Sequence, residues 1–104
     1  MRLLLDECVP RKLGRLLPHS FRTVPQMRWS GLKNGELLSR VEGQFEVFIT
    51  SDQNLLHQQH LAGRTVAILV LSTNDLQRLE SASQLIIETL SVIKTGEIRE
   101  LEIP

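Results

Sequence analysis

Carboxylates fall at three places in this chain where an apolar run has just ended. Asp6 and Glu7 follow Arg2–Leu5 directly, Asp52 comes two residues after Val47–Thr50, and Asn74 and Asp75 follow the long run that ends at Leu71. Carboxylates gathered at one edge repel one another unless a cation neutralises them. An oxygen-only ligand set selects Mg²⁺ or Mn²⁺ over zinc. A hard cation held that way acidifies a bound water and stabilises the leaving oxygen of a phosphodiester. Glu36 joins the set through geometry. It lies in the first turn of a helix that must run back against the next strand, which puts its N-terminus near the same edge. The same acids also suit a plainer role. Asp52 and Asp75 are well placed as helix N-caps, and Asp6 and Glu7 precede the helix at Pro10.

The elements that must position these residues follow from periodicity. Arg2–Leu5 reads as a strand, and Pro10 suits the first position of a helix carrying Leu13, Leu16 and Leu17 that Pro18 stops. Phe21–Val24 is a weaker strand, and Pro25–Lys33 reads as loop. Asn34 caps a helix with Leu37, Leu38 and Val41 on one stripe, ended by Gly43. Val47–Thr50 is a β-branched strand, and Asp52 opens a short helix bearing Leu55, Leu56 and Leu61. Thr65–Leu71 is the most hydrophobic run and reads as a central strand covered on both faces. Ser83 caps a last long helix with Ile86, Leu90 and Ile93 on one face, and Glu97–Ile103 forms an edge strand open to dimerisation or to a partner peptide. Strands alternating with helices imply right-handed crossovers and a mainly parallel sheet. The expected fold is an α/β three-layer sandwich of about five strands, in which all three acidic places lie at the carboxyl ends of the strands. Ligands of open α/β sheets bind there.

Composition bounds the rest. The chain has 104 residues and no formal net charge, with 41% hydrophobic and 23% charged residues, which fits one domain over 1–104 and argues against disorder. A single cysteine, Cys8, excludes an internal disulfide and a Cys-rich zinc site. No apolar run reaches membrane-spanning length, so no membrane role and a cytoplasmic setting are expected. Residues 1–40 carry eight Lys/Arg against three acids, and residues 41–104 carry four against nine. A shared basic face would attract a polyanion, whereas scattered charges would only be solvated. Arg11, Lys12 and Arg15 flank the helix after Asp6 and are the candidates for holding phosphates. Trp29 beside Arg28 suits either base stacking or anchoring of its loop in the core. His57 and His60 share a helical spacing able to chelate zinc but lack a third ligand. Cys8 has no histidine partner and reads as a small buried residue. No glycine-rich phosphate loop is present.

Four blocks in order carry a resemblance: Leu3-Leu4-Leu5-Asp6-Glu7-Cys8-Val9-Pro10, Gly31-Leu32-Lys33-Asn34-Gly35-Glu36-Leu37-Leu38, Phe48-Ile49-Thr50-Ser51-Asp52-Gln53-Asn54-Leu55, and Gln58-Gln59-His60-Leu61-Ala62-Gly63-Arg64. Together they resemble the short PIN-like proteins, many of them identified as toxins of bacterial toxin–antitoxin pairs, over essentially the whole chain. The resemblance implies a PIN-like α/β fold and a Mg²⁺- or Mn²⁺-dependent ribonuclease. It makes Asp6 the acid at the end of the first strand, Glu36 the helix-borne acid, and Asp52 the acid of the Thr-x-Asp block, with Glu7 and Asn54 as further metal ligands. RNA is the implied substrate and a small antitoxin the implied partner. Such relatives often carry acids where this chain has Asn34 and Asn54, and each amide removes a charge from the site. Two expectations follow: a metal-dependent endoribonuclease, or a module of the same fold that binds nucleic acid or a partner protein without catalysis.

Overall fold

The computed structural model describes residues 1–57 and 63–104. The fourth block of the resemblance, and with it Gln58, Gln59, His60 and Leu61, lies largely outside them. Five strands are described: β1 (Arg2–Leu5), β2 (Ser20–Thr23), β3 (Val47–Thr50), β4 (Ala67–Leu71) and β5 (Ile98–Leu101). They form one all-parallel sheet in the order β2-β1-β3-β4-β5. The helices are α1 (Arg11–Gly14), α2 (Asn34–Val41), α3 (Leu76–Ser81) and α4 (Ser83–Val92), with a 3₁₀ turn at Gln53–His57. Asp75 caps α3, its side chain accepting from the Gln77 N–H at 3.0 Å. Ser83 is the first residue of α4 rather than its cap, because Ala82 alone separates the helices, as the C-cap of α3 and the N-cap of α4.

Burial explains the strand order. Every residue of β3 and β4 is buried, as are Leu3, Leu4 and Leu5 of β1, whereas β2 and β5 are largely exposed edges. Strand alternation sorts the apolar side chains into two layers. Leu3, Leu5, Val47, Ile49, Leu69 and Leu71 face α1, α3 and α4 through Leu13, Leu79, Ile86 and Leu90. Leu4, Phe48, Ile68 and Val70 face α2 and the loop before it, through Leu37, Leu38, Val41, Val24 and Trp29. The result is a helix–sheet–helix sandwich. Within it, the path from β2 to β3 crosses over the α2 face, and the path from β4 to β5 crosses over the α1 face. Both paths step in the same direction along the sheet. The two crossovers are therefore of opposite hand, although parallel connections are right-handed in about 98% of cases. The paired helices α3 and α4 go to the α1 side because Leu79 and Ala82 complete the core begun by Leu13 and Leu17.

Two glycines are dictated by close approach. A Cβ on Gly14 would lie 2.6 Å from the Phe21 ring, so α1 can rest on β2 only at a glycine. At Gly96, φ is +76° and a Cβ would meet the Arg64 carbonyl at 2.6 Å, while its N–H donates to Thr65 O at 2.8 Å. Glu42, just past α2, braces the entry to β4 by accepting from the Thr65 N–H and hydroxyl and from the Val66 N–H at 2.6–3.2 Å. No described helix is long and apolar enough to cross a membrane.

Candidate functional site

The strand order reverses direction between β1 and β3, and open α/β sheets leave a crevice beyond the carboxyl ends of the strands at that point. A cavity of about 320 Å³ lies there. Its polar border is Asp6, Glu7 and Cys8 after β1, Ser51 and Asp52 after β3, and Asn34 at the start of α2. Val24, Trp29, Leu32 and Leu37 form the apolar wall.

Thr50 organises this edge. It ends β3, is completely buried, and its hydroxyl donates to Asp6 Oδ2 at 2.7 Å. The same oxygen accepts the Asp52 N–H at 3.0 Å. One side chain thus ties the two acid-bearing loops together across the reversal point, using its single donor and an acceptor lone pair. The Asp6 backbone adds a second tie, its N–H donating to Ile49 O at 2.9 Å. Asp6 Oδ1 accepts the Glu7 N–H at 2.8 Å, and the Cys8 thiol reaches Oδ2 at 3.5 Å while accepting the Ser51 N–H at 3.5 Å. Asp52 Oδ1 accepts the Asn54 N–H at 3.0 Å and so opens the 3₁₀ turn. Its other oxygen receives no hydrogen bond from a described residue. Gln53 pins that turn to the end of β4, its amide donating to Leu71 O at 2.7 Å. Asp6 and Asp52 are both half-buried and border the crevice.

Of the site residues nominated from sequence, Asp6, Glu7 and Asp52 border this crevice, together with the Asn34 amide. Glu36 does not. Asn34 and Leu37 present one side of α2 to the cavity, and at about 100° per residue Glu36 is turned well away from them. It is exposed and pairs with Arg40 at 3.4 Å. Asn54 is exposed and touches the site through its backbone N–H. Asp75 is taken up as the cap of α3 and does not border the crevice. Arg11, Lys12 and Arg15 are exposed, but Leu13 of the same short helix packs into the layer opposite α2. Those cations therefore belong to the far side of the sheet from the apolar wall of the crevice. His57 is exposed at the end of the 3₁₀ turn.

Trp29 is both core and wall. It is 8% exposed, meets Phe45 edge to face at 6.3 Å between ring centroids, and borders the crevice. Its loop is set by Arg28, whose φ is +62°, and by the Trp29 N–H donating to Val24 O at 3.1 Å. Sequence reasoning missed Thr50 as a functional residue. The signal was a hydroxyl closing a strand otherwise made of Val47, Phe48 and Ile49, two residues before Asp52.

No family model matches this chain, and neither a curated protein nor a solved structure matches it significantly. The donor set itself tests which ion would fit. Among the described residues, no three His, Cys, Asp or Glu side chains come close enough together to hold a metal. A cage of three protein acids is therefore not formed. Asp6, Glu7, Asp52 and the Asn34 amide all border the crevice, and one or two of these carboxylates would meet the habit of Mg²⁺, which keeps several waters and takes one or two protein carboxylates beside substrate phosphate.

Proposed function

We propose that this chain is a metal-dependent endoribonuclease of PIN-like type, acting as the toxin of a toxin–antitoxin pair. The observation that carries the reading is the Asp6–Thr50–Asp52 bridge at the reversal point of the sheet. It presents two acids to one crevice, and a carboxylate pair beside a phosphodiester is the arrangement such hydrolysis needs. Asp6 and Asp52 would hold a Mg²⁺ or Mn²⁺ ion, with Glu7 and the Asn34 amide at the same rim. When bound, that ion offsets phosphate charge and makes a bound water more acidic. Asp6 is the fixed member, held by Thr50, Cys8 and the Glu7 N–H. Asp52, with one oxygen uncommitted, accepts the proton of the attacking water and orients it. The Trp29 and Leu37 wall excludes bulk water from one side of the scissile group. A small antitoxin is the matching protein partner.

A second reading has its own observation. Glu36 faces Arg40 outside the crevice, and Asn34 supplies an amide at the rim. A crevice with this reduced charge suits a module of the same fold that binds nucleic acid or protein without cleaving. Incubation of purified protein with mixed RNA in Mn²⁺, Mg²⁺ or EDTA separates the two, run beside Asp6→Asn and Asp52→Asn. Metal-dependent cleavage lost by about 100-fold or more in both variants supports the nuclease. No cleavage, or cleavage indifferent to both substitutions, gives the binding module the weight.

A further inference from the structure

A second cavity, of about 670 Å³, opens beside the edge strand β2, toward the amino ends of the strands and away from the acids. Ser20, Phe21 and Arg22 all border it. Arg2, Met27, Gln44 and Phe45 border it too, so the cavity lies over the amino ends of β1 and β2 on the α2 face, with the edge strand β2 as one rim. The hydrogen bonding shows what that edge offers. Val24 donates its N–H to Leu5 O at 2.9 Å, so Arg22 and Ser20, in step with it, turn their peptide groups toward β1. Phe21 and Thr23 turn theirs outward. The outward pair of Thr23 is already used, its N–H donating to Gln26 Oε1 at 2.8 Å and its C=O accepting the Met27 N–H at 3.2 Å. No described loop or side chain takes the N–H and C=O of Phe21.

The side chains around this open pair are cationic and apolar. Arg22 is in register with Leu4, which faces the α2 layer, and Arg2 has the same parity, so both guanidiniums lie on that face. Arg22 has no carboxylate within ion-pairing distance among the described residues, and Arg2 shares only the exposed Glu46. Met27 and Phe45 supply an apolar floor.

We propose that this edge receives an extended acidic segment of a partner protein, which adds a strand beside β2. The segment's backbone bonds to the Phe21 N–H and C=O, its carboxylates on alternate residues meet Arg22 and Arg2 on the α2 face, and the apolar residues between them turn to the opposite face, the side of Phe21. Charge complementarity selects an acidic occupant, and the open peptide pair selects a polypeptide over a nucleic acid, whose backbone has no amide to answer it.

The probe is an acetylated, amidated heptapeptide of alternating glutamate and valine. Its controls are the same peptide with lysine for glutamate and the same peptide N-methylated at its central residues. Trp29, the only tryptophan, touches Phe45 and reports occupancy by fluorescence, and hydrogen exchange at the Phe21 amide reports the new strand. The acidic peptide is expected to slow Phe21 exchange at least tenfold and to bind at least tenfold more tightly than either control. Arg22→Glu should weaken it at least tenfold. Equal binding of the lysine or N-methylated peptide, or unchanged Phe21 exchange at saturation, overturns the proposal without depending on any variant. So does displacement of the peptide by an RNA oligomer from an Arg22-dependent site. Concentration-dependent self-association abolished by Glu100→Lys, on the β5 edge, would assign the surface to a second copy and likewise overturn it.

Discussion

Replacing Thr50 by valine keeps the β-branched shape and removes one oxygen. Two hydrogen bonds go with it: the one to the Asp6 carboxylate at 2.7 Å and the one from the Asp52 N–H at 3.0 Å. A bond to a charged group contributes about 1.5–3 kcal/mol, and a donor left without a partner costs about 1–3 kcal/mol when buried. Asp52 is half-buried, so water recovers part of the second cost. The new methyl returns about 0.8 kcal/mol of burial. The balance is a loss of about 2 kcal/mol, which lowers the melting temperature by roughly 8–16 °C in a domain of this size. Urea unfolding followed by circular dichroism measures it, with an unchanged slope confirming that the unfolded state is the same. Thr50→Ser keeps the hydroxyl and gives up only a buried methyl, so it should retain the Asp6 bond and cost about 1 kcal/mol. If valine is as stable as the native residue, or serine is as damaging as valine, the hydroxyl is not the tie between the loops. On the nuclease reading, Thr50→Val also lowers cleavage by about 10–100-fold, the usual effect of losing a group that orients a metal-holding carboxylate.

Gly14→Ala should destabilise by about 1–3 kcal/mol despite alanine's better helix propensity, because its Cβ falls 2.6 Å from the Phe21 ring. Phe21→Leu in the same background should recover part of the loss in urea unfolding. Glu42 gives a pH prediction. Burial of its carboxyl works to raise its pKa, but hydrogen bonds from the Thr65 side chain and the Val66 and Thr65 N–H groups, with Arg64 nearby, hold it below its ordinary 4.5. A lowered carboxylate contributes stability that is present above the ordinary value and lost as pH falls through the lowered one. Stability should therefore fall below about pH 4.5, and Glu42→Gln should flatten that slope while lowering stability at neutral pH. Denaturant midpoints from pH 3 to 7 measure both effects.

The sheet was legible because burial has a simple signature. Val47–Thr50 and the run ending at Leu71 are apolar on both faces, and that alone makes them central. The positions of Asp6 and Asp52 followed, since loops after parallel strands share one edge. What did not follow was anything depending on phase or side. Glu36 and Asn34 are two residues apart on one helix, and which of them meets the crevice depends on how α2 is rotated against Leu4 and Phe48. Arg11, Lys12 and Arg15 sit close to Asp6 in sequence, but α1 covers the other face. Periodicity marks a helix's apolar stripe without saying which side of the sheet receives it. Thr50 was hidden by its neighbours, because a hydroxyl in a β-branched strand reads as propensity until its partners are known.

The opposite hands of the two crossovers bear on how the chain acquires this structure. Because β4 returns to β5 over the α1 face, Leu13 and Leu17 from the start of the chain share a core with Leu79, Ile86 and Leu90 from its end. Neither half can bury its apolar surface without the other. Leu13 alone would leave β1 half-covered, and α3 and α4 alone would have β3, β4 and β5 to rest on but lack Leu3, Leu5, Leu13 and Leu17 to close the layer. Cleaving the chain in the turn near Gly43 should yield two fragments that are disordered apart and regain structure only on mixing. The acidic edge therefore comes into being with the whole fold, since Asp6 belongs to the first fragment and Thr50 and Asp52 to the second.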